Sequence, residues 1–239
     1  MILAILQARM SSSRFPGKVL KPLLDKPMMI RQIERIKRSN LIDKIIVATS
    51  TDKTDDEIEV VCKNYNIEYF RGSLNDVLDR YYQLAKLYNP DQVVRLTADC
   101  PLTDCKLIDE IIEFHVKNDY DYTSNAIKRT YPIGLDVEIL KFDILKEIWL
   151  KAKLKEEREH LTHYIYNNFE LFNTFSYENS EDLSSLRWTV DYFEDYIFIQ
   201  KVYNILYPVN KSFNTNDIYN LLAKMPELTK TQAVELIGE

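Results

Sequence analysis

Glycine is nearly missing from this sequence, with four in 239 residues. A chain that avoids glycine keeps it where the backbone needs positive φ or a ligand must come close. Gly17, Gly72 and Gly134 all fall in segments crowded with polar and charged side chains, which marks those segments as candidate binding loops. No apolar run approaches the roughly 20 residues of a membrane-spanning helix, so a chain with no membrane association is expected. Met1 leads straight into a strand-like stretch rather than a leader, and a cytoplasmic location follows as the expectation. Cysteines are few (Cys62, Cys100 and Cys105), odd in number and without C-x-x-C spacing, which excludes a disulfide framework and favours free thiols. Cys100 has no histidine placed to serve as its base, so nucleophilic catalysis by it is not expected. Basic residues are not in excess: 31 Lys and Arg stand against 37 Asp and Glu, a net charge of −6, which argues against nucleic acid as a partner. Neither G-x-x-x-x-G-K-[ST] nor a helix-opening G-x-G-x-x-G occurs, which removes the two commonest phosphate-loop signatures. No internal repeat or low-complexity segment is present.

What is there begins at the N-terminus. Ile2 to Leu6 are uniformly apolar, the pattern of a strand buried on both faces in a parallel sheet. The following loop holds Arg9, Ser11, Ser12, Ser13, Arg14, Gly17 and Lys18. Its cations, hydroxyls and backbone amides suit a polyphosphate, and a loop leaving the carboxyl end of a buried strand sits where open α/β sheets bind ligands. Downstream, apolar periodicity predicts a helix from Lys26-Pro27 with Arg35 on its exposed side. A strand over 45–49 follows, then a helix opened by Thr54-x-x-Glu57 as a capping box, and a strand over 67–70. A helix capped by Ser73 or Asn75 runs to about Tyr88, and 92–97 reads as a strand ending at Asp99. Asp104 caps a helix to about Lys117 on which His115 reads as a partly buried surface residue. Strands at 120–124 and from about 135, a helix over 142–155, a strand over 186–191 ending in Asp191, and a helix to Tyr207 complete the order. Strands alternating with helices predict an α/β fold with a mostly parallel sheet and right-handed crossovers. Residues 1–207 form the expected main domain, and 208–239 a C-terminal helical appendage. His160 and His163 stand one turn from Tyr164 and Glu159 respectively, but no third ligand accompanies either pair, so zinc is not expected.

Six stretches, in order, resemble the cytidylyltransferases that make CMP-activated sugars, closest to the branch associated with spore-coat and other surface polysaccharides. Ala8, Arg9, Ser12 or Ser13, Arg14 and Pro16-Gly17-Lys18 match the opening A-R-x-x-S-x-R and P-G-K. Gly72, Ser73, Asp76, Val77, Leu78 and Arg80 match the second motif, and Arg95, Thr97, Asp99 and Pro101 match R-x-T-x-D-x-P. Pro132, Gly134, Asp136 and Glu138 match P-x-G-x-D-x-E. Glu159, His160, Leu161, Thr162 and Tyr164 match the branch's E-H-[VL]-T-x-Y, although His163 replaces the usual proline. Arg187, Thr189, Val190, Asp191, Glu194 and Asp195 match R-x-T-V-D-x-x-E-D.

The resemblance implies a three-layer glycosyltransferase-A-like sheet and transfer of CMP from CTP to an acidic or phosphorylated sugar-like acceptor. It implies Arg14, Lys18, Asp99 and Asp191 as catalytic residues, and Mg²⁺ held by Asp99 and Asp191, since Mg²⁺ needs few carboxylates beside phosphate and water. Nucleotide contacts would come from Ala8, Arg9, Ser12, Ser13, Arg14, Lys18, Gly72, Ser73, Asp76, Arg80 and Arg95. Acceptor contacts would come from Lys128, Arg129, Gly134, Asp136, Glu138, Arg158 and His160. A homodimer is implied as well. A glycosyltransferase is the rival enzyme, but its usual D-x-D is missing at Asp99-Cys100-Pro101. A nucleotide-binding domain without chemistry is the rival outside enzymes, and retention of both acids and all three N-terminal cations speaks against it.

Overall fold

A computed structural model describes residues 1–231. The chain opens with β1 (Ile2–Gln7), whose Leu3 and Ile5 enter one core while Ala4 and Leu6 enter another, so both faces are buried as the unbroken apolar run predicts. A short hairpin, β2 (Pro22–Leu23) and β3 (Lys26–Pro27), leads into α1 (Met28–Ile36). Then come β4 (Lys44–Ser50), α2 (Asp56–Asn64), β5 (Tyr69–Gly72), α3 (Val77–Tyr88), β6 (Gln92–Thr97) and α4 (Cys105–Lys117). The second half holds β7 (Tyr122–Ser124), β8 (Glu138–Lys141), α5 (Phe142–Lys151), α6 (Lys155–Glu159), α7 (His163–Asn167), β9 (Thr174–Ser176), α8 (Phe193–Leu206) and α9 (Thr215–Lys224).

Among the described residues the main sheet has seven strands in the order β5-β4-β1-β6-β8-β7-β9. β1 pairs in parallel with both β4 and β6, and β8 alone runs against its neighbours. The chain leaves β1 toward β4 and β5, then returns to β1's other side as β6. Strand order therefore reverses at β1, and the loop after Gln7 lies at the crevice where doubly wound sheets bind ligands. Helices α1, α2, α4, α8 and α9 cover one face through Ile33, Ile58, Ile108, Ile199 and Ile218. Helices α3, α5 and α7 cover the other through Leu78, Ile148 and Ile165. The expected three-layer mixed sheet is what the chain forms.

The structure corrects several expectations. Residues 186–191 are not a strand. They run extended between two loops, held by the Ile133–Arg187 bridge and by Val190 N–H donating to Asp99 O at 2.8 Å. Asp52, not Thr54, caps the turn before α2, accepting from Thr54 N at 2.9 Å. Asp76, not Ser73 or Asn75, caps α3 through Asp79 N at 2.8 Å, while Ser73 Oγ accepts from Asp76 N. The helix from Phe142 stops at Lys151, and edge strand β9, three residues long, gave no sequence signal. Arg35 is buried, donating to the carbonyls of Thr103, Phe213 and Leu102. Phe213, Ile218, Leu221 and Leu228 share a core with Ala4 and Leu6, so residues 208–231 pack into the domain, and the rest of the expected appendage lies outside the described residues.

His115 is fully buried rather than at the surface. Its Nδ1 lies 2.9 Å from Thr123 Oγ1 and its Nε2 3.1 Å from Gln92 Oε1, so a neutral ring donates from Nε2 and accepts at Nδ1. Burial, helped by the nearby Lys141 charge, pushes its pKa down to about 4. A base whose folded pKa lies below its unfolded value of 6.5 binds more protons unfolded, so its stabilisation is complete above pH 6.5 and fades as pH falls toward 4. Urea unfolding at pH 7.5 and 4.5 should show the wild type losing up to about 3 kcal/mol more than His115→Gln. An equal loss in both proteins would contradict the assignment.

Candidate active site

The site is built around a lysine placed by a glycine. Gly17 takes φ +68°, a left-handed conformation that turns the loop after β1 into the single turn Lys18–Leu20. Buried Asp55 anchors the front of that loop: its Oδ1 accepts from Met10 N at 2.7 Å and its Oδ2 from Ser50 N at 3.1 Å. The Met10 carbonyl then receives the amides of Ser12 and Gly17 at 2.9 and 3.0 Å. Lys18 points from this turn to the carboxyl end of β6. Its ammonium donates to Asp99 Oδ2 and Asp191 Oδ1, both at 2.8 Å.

Asp191 is held from the other side as well. Arg14 Nη2 reaches Asp191 Oδ1 at 3.0 Å and its guanidinium lies over the Tyr192 ring. Arg187 donates to Asp191 Oδ2 at 2.9 Å and to Asp195 Oδ1 at 3.0 Å. Asp195 Oδ2 accepts from the amides of Asp191 and Tyr192 at the start of α8. Three carboxylates thus face three cations, while exposed Arg9 adds positive charge beside them. Burial pulls the Lys18 pKa down, but the two aspartates outweigh it and the net shift is upward. Burial likewise pushes Asp99 up, and Lys18 overrides it to leave Asp99 below the ordinary aspartate value. Lys18 and Asp99 are therefore both charged at neutral pH. The cleft they close is lined by Gln7, Arg9, Ser12, Ser13, Arg14, Lys18 and Thr97.

The second expected binding segment runs from the end of β5 into α3. Asp76, besides capping α3, takes Arg158 Nη2 at 2.7 Å and Nε at 2.9 Å, so one expected acceptor residue is bound to one expected nucleotide residue. Arg95 and Glu138 do not stand free. They pair with each other, and Glu138 also accepts from Tyr122 O–H at 2.8 Å, whose oxygen lies 3.0 Å from Tyr166 O–H. Arg129 forms a fork on Asp136, with Nη2 to Oδ2 at 3.0 Å, and Lys128 holds Glu178 at the surface. His160 is exposed. Ala8 is buried, its amide on Ala48 O at 3.1 Å, and Ser73 O accepts from Arg80. Cys100 is buried under Thr97 and Thr189, and burial drives its thiol pKa well above the usual value, which leaves it inert.

Residues 3–235 match the cytidylyltransferase family. The chain belongs to that family. It is 35% identical over 211 residues to the spore coat polysaccharide biosynthesis protein SpsF of Bacillus subtilis, covering 84% of this chain and 86% of that one. A solved cytidylyltransferase from Leptospira borgpetersenii superposes with a TM-score of 0.92 at 34% identity over 98% of both chains. A CMP:2-keto-3-deoxy-manno-octonic acid synthetase complexed with CTP shares the fold at a TM-score of 0.66 and 14% identity, over 85% of this chain and 98% of that one.

As a cytidylyltransferase the chain is a CTP-dependent nucleotidyltransferase. The last motif as read from sequence includes Arg187 and Asp195 but assigns a role only to Asp191, whose carboxylate those two residues fix, and Asp55 receives no role there. The spacing Arg187-x-x-x-Asp191-x-x-x-Asp195 was the available signal. Gly134 proves to be required by the protein's own packing. At φ +106°, an added Cβ would lie 2.4 Å from Thr189 N and 2.5 Å from Trp188 C, the backbone that carries Asp191. Gly134→Ala should therefore cost about 3 kcal/mol of stability and weaken nucleotide binding together, read by thermal melting and CTP titration. Wild-type melting in this variant would show that the 186–191 segment is not held there.

Proposed function

We propose that this cytidylyltransferase joins CMP from CTP to an acidic or phosphorylated sugar-like acceptor, releasing pyrophosphate, in the synthesis of a surface polysaccharide or glycoconjugate, and that it does so as a homodimer. The observation that carries the reading is the Lys18 ammonium between Asp99 and Asp191 at the switch-point crevice, with Arg9, Arg14, Ser12 and Ser13 along the same wall. The acceptor oxygen bonds to the α-phosphorus as the bond to the β-phosphate oxygen breaks. Work of this kind is mostly positioning and charge stabilisation. Lys18 and Arg14 are already balanced by carboxylates, so at these two an arriving triphosphate exchanges one set of anionic oxygens for another instead of recruiting bare charges. Lys18 and Arg14 are the two that share Asp191 Oδ1 and can turn to phosphate oxygens. Names of relatives support the acceptor class: one is a spore coat polysaccharide biosynthesis protein and another a 3-deoxy-manno-octulosonate cytidylyltransferase. Lys128, Arg129, Arg158 and His160 would meet the acceptor's negative charge, three of them after leaving their present carboxylates.

Two carboxylate oxygens that converge on one cation suit a hard divalent ion as well as an ammonium. Asp99 and Asp191 would hold Mg²⁺, which when bound supplies charge neutralisation to the phosphates and the attacking oxygen. In that case Lys18 yields its position and moves onto phosphate.

Three outcomes test the reading. Melting-temperature shifts with the four nucleoside triphosphates should be largest for CTP, and an equal shift with UTP would contradict cytidylyl specificity. Pyrophosphate release with a panel of acidic and phosphorylated sugars should require an acceptor. Asp99→Asn and Asp191→Asn should each fold, lose the Mg²⁺-dependent rise in melting temperature seen with CTP, and lose turnover. The double variant should be little worse than either, because the pair acts as one unit. Undiminished turnover in Asp191→Asn would remove that residue from the site.

A further inference from the structure

A second concave site lies between α4, α9 and the loop before β8, and it shares no lining residue with the cleft. Asp104 builds it. Its Oδ1 caps α4 by accepting from Lys106 N at 2.9 Å, and its Oδ2 accepts from Thr215 N at 2.9 Å and Thr215 Oγ1 at 2.6 Å. One carboxylate thereby pins the first turn of α9 beside the first turn of α4. Thr130 Oγ1 accepts from Asn179 N at 2.7 Å and ties in the segment after β9. The cavity measures about 220 Å³ and is lined by buried Leu107 and Leu135 and by the half-buried rings of Tyr131 and Tyr219. Neither ring is loose: Tyr131 stacks on Tyr177 at 6.4 Å, and Tyr219 meets buried Trp188 at 5.2 Å. A preformed concavity with apolar walls is the usual form of a small-molecule site.

Several polar groups around those walls have no use inside the protein. Among the described residues, the hydroxyls of Tyr131 and Tyr219 and the carboxamides of Asn179 and Asn216 make no hydrogen bond, and neither hydroxyl is sealed from solvent. Lys106 and Glu110, one turn apart on α4, form no ion pair. Partial burial and the Asp104 charge push the Glu110 pKa up, and Lys106 offsets only part of that rise. The carboxylate is short of donors. Charge excludes the ligands proposed for the cleft: a triphosphate or an acidic acceptor would meet Asp104 and Glu110 with Lys106 alone to offset them. Size points the same way, since sites for drug-sized ligands run to about 300–1,000 Å³ and this one is smaller. What fits is one ring with apolar faces and a rim of neutral hydroxyls. Its C–H faces would lie on the tyrosines and leucines, while its hydroxyls donate to Glu110 and accept from the two carboxamides and Lys106.

We infer that this pocket binds a neutral sugar ring, as a saccharide site separate from the cleft. It goes beyond the proposed reaction, whose acceptor is anionic, and stands without it. A pocket with fixed donors and acceptors discriminates among sugars, because a ring whose hydroxyls point elsewhere leaves Glu110 or a carboxamide unpaired. The protein thereby gains a saccharide contact independent of catalysis.

The test is saturation-transfer NMR and titration calorimetry with glucose, galactose, mannose and N-acetylglucosamine, and with choline as a cationic control. Wild type is compared with Asn179→Ala, Asn216→Ala and Tyr219→Leu. The two asparagine side chains hold nothing inside the protein, so their alanine variants should melt as the wild type does and keep its CTP affinity. At least one of the four sugars should bind, and each asparagine variant should weaken it about three- to tenfold, the worth of one hydrogen bond. Tyr219→Leu should weaken it at least as much, and saturating CTP should leave it unchanged. Failure of all four sugars to bind overturns the inference, as does binding that the asparagine variants leave untouched. Displacement of the sugar by CTP overturns it too, by placing the sugar in the cleft. Choline bound in preference to every sugar would make the pocket a cation site and equally overturn it.

Discussion

Everything near the cleft depends on one ammonium group held between two carboxylates that are far apart in sequence. Lys18 leaves a turn after β1, Asp99 ends the segment after β6, and Asp191 arrives on an extended segment before α8. Separately, each would be a partly buried charge at a strand or loop end, costly to keep dry. Together they neutralise one another, and the upward shift of Lys18 and downward shift of Asp99 are the two sides of that exchange. The fold contributes the meeting point: β1 and β6 are adjacent and parallel, so their following loops leave the same edge of the sheet side by side.

Around that contact the protein adds supports that do no chemistry of their own. Asp55 ties down the loop after β1, Asp195 and Arg187 fix Asp191, and Gly134 lets the backbone of Thr189 pass close by. Arg95, half-buried on the face of β6 opposite Leu96, and buried Glu138 on β8 form a charge pair tied to Tyr122. These supports hold in place the groups proposed to act on the nucleotide, the arrangement that electrostatic catalysis by prearranged charges requires. Cations paired in advance with acids also keep the empty cleft from repelling itself.

Much of this was legible in the sequence because it rests on local patterns. The apolar run at Ile2 to Leu6 gave β1, periodicity gave α1, α3, α4 and α8, and the Asp104 cap gave the start of α4. The site residues of the first motif lie on one loop, so their convergence followed from spacing alone. What was not legible depends on partners distant in sequence. Residues 186–191 look like a strand because extended apolar segments share one signature whether or not a ladder forms beside them. His115 sits on an apolar helix face, but only tertiary packing brings Thr123 and Gln92 to its two nitrogens. Arg35 resembles any helix-surface cation until three loop carbonyls enclose it. Nothing in the order of residues announced that Lys18 would stand between the two acids proposed to hold a metal.

The most direct measurement is the CTP affinity of Lys18→Met by calorimetry, at a temperature where melting shows the variant folded. If the ammonium turns from the two aspartates to the triphosphate, affinity should fall by about 10- to 100-fold, the worth of one charge-assisted contact together with uncompensated carboxylates left at the site. CTP binding unchanged in the folded variant would contradict the account, leaving Lys18 a brace for Asp99 and Asp191 and the phosphates elsewhere.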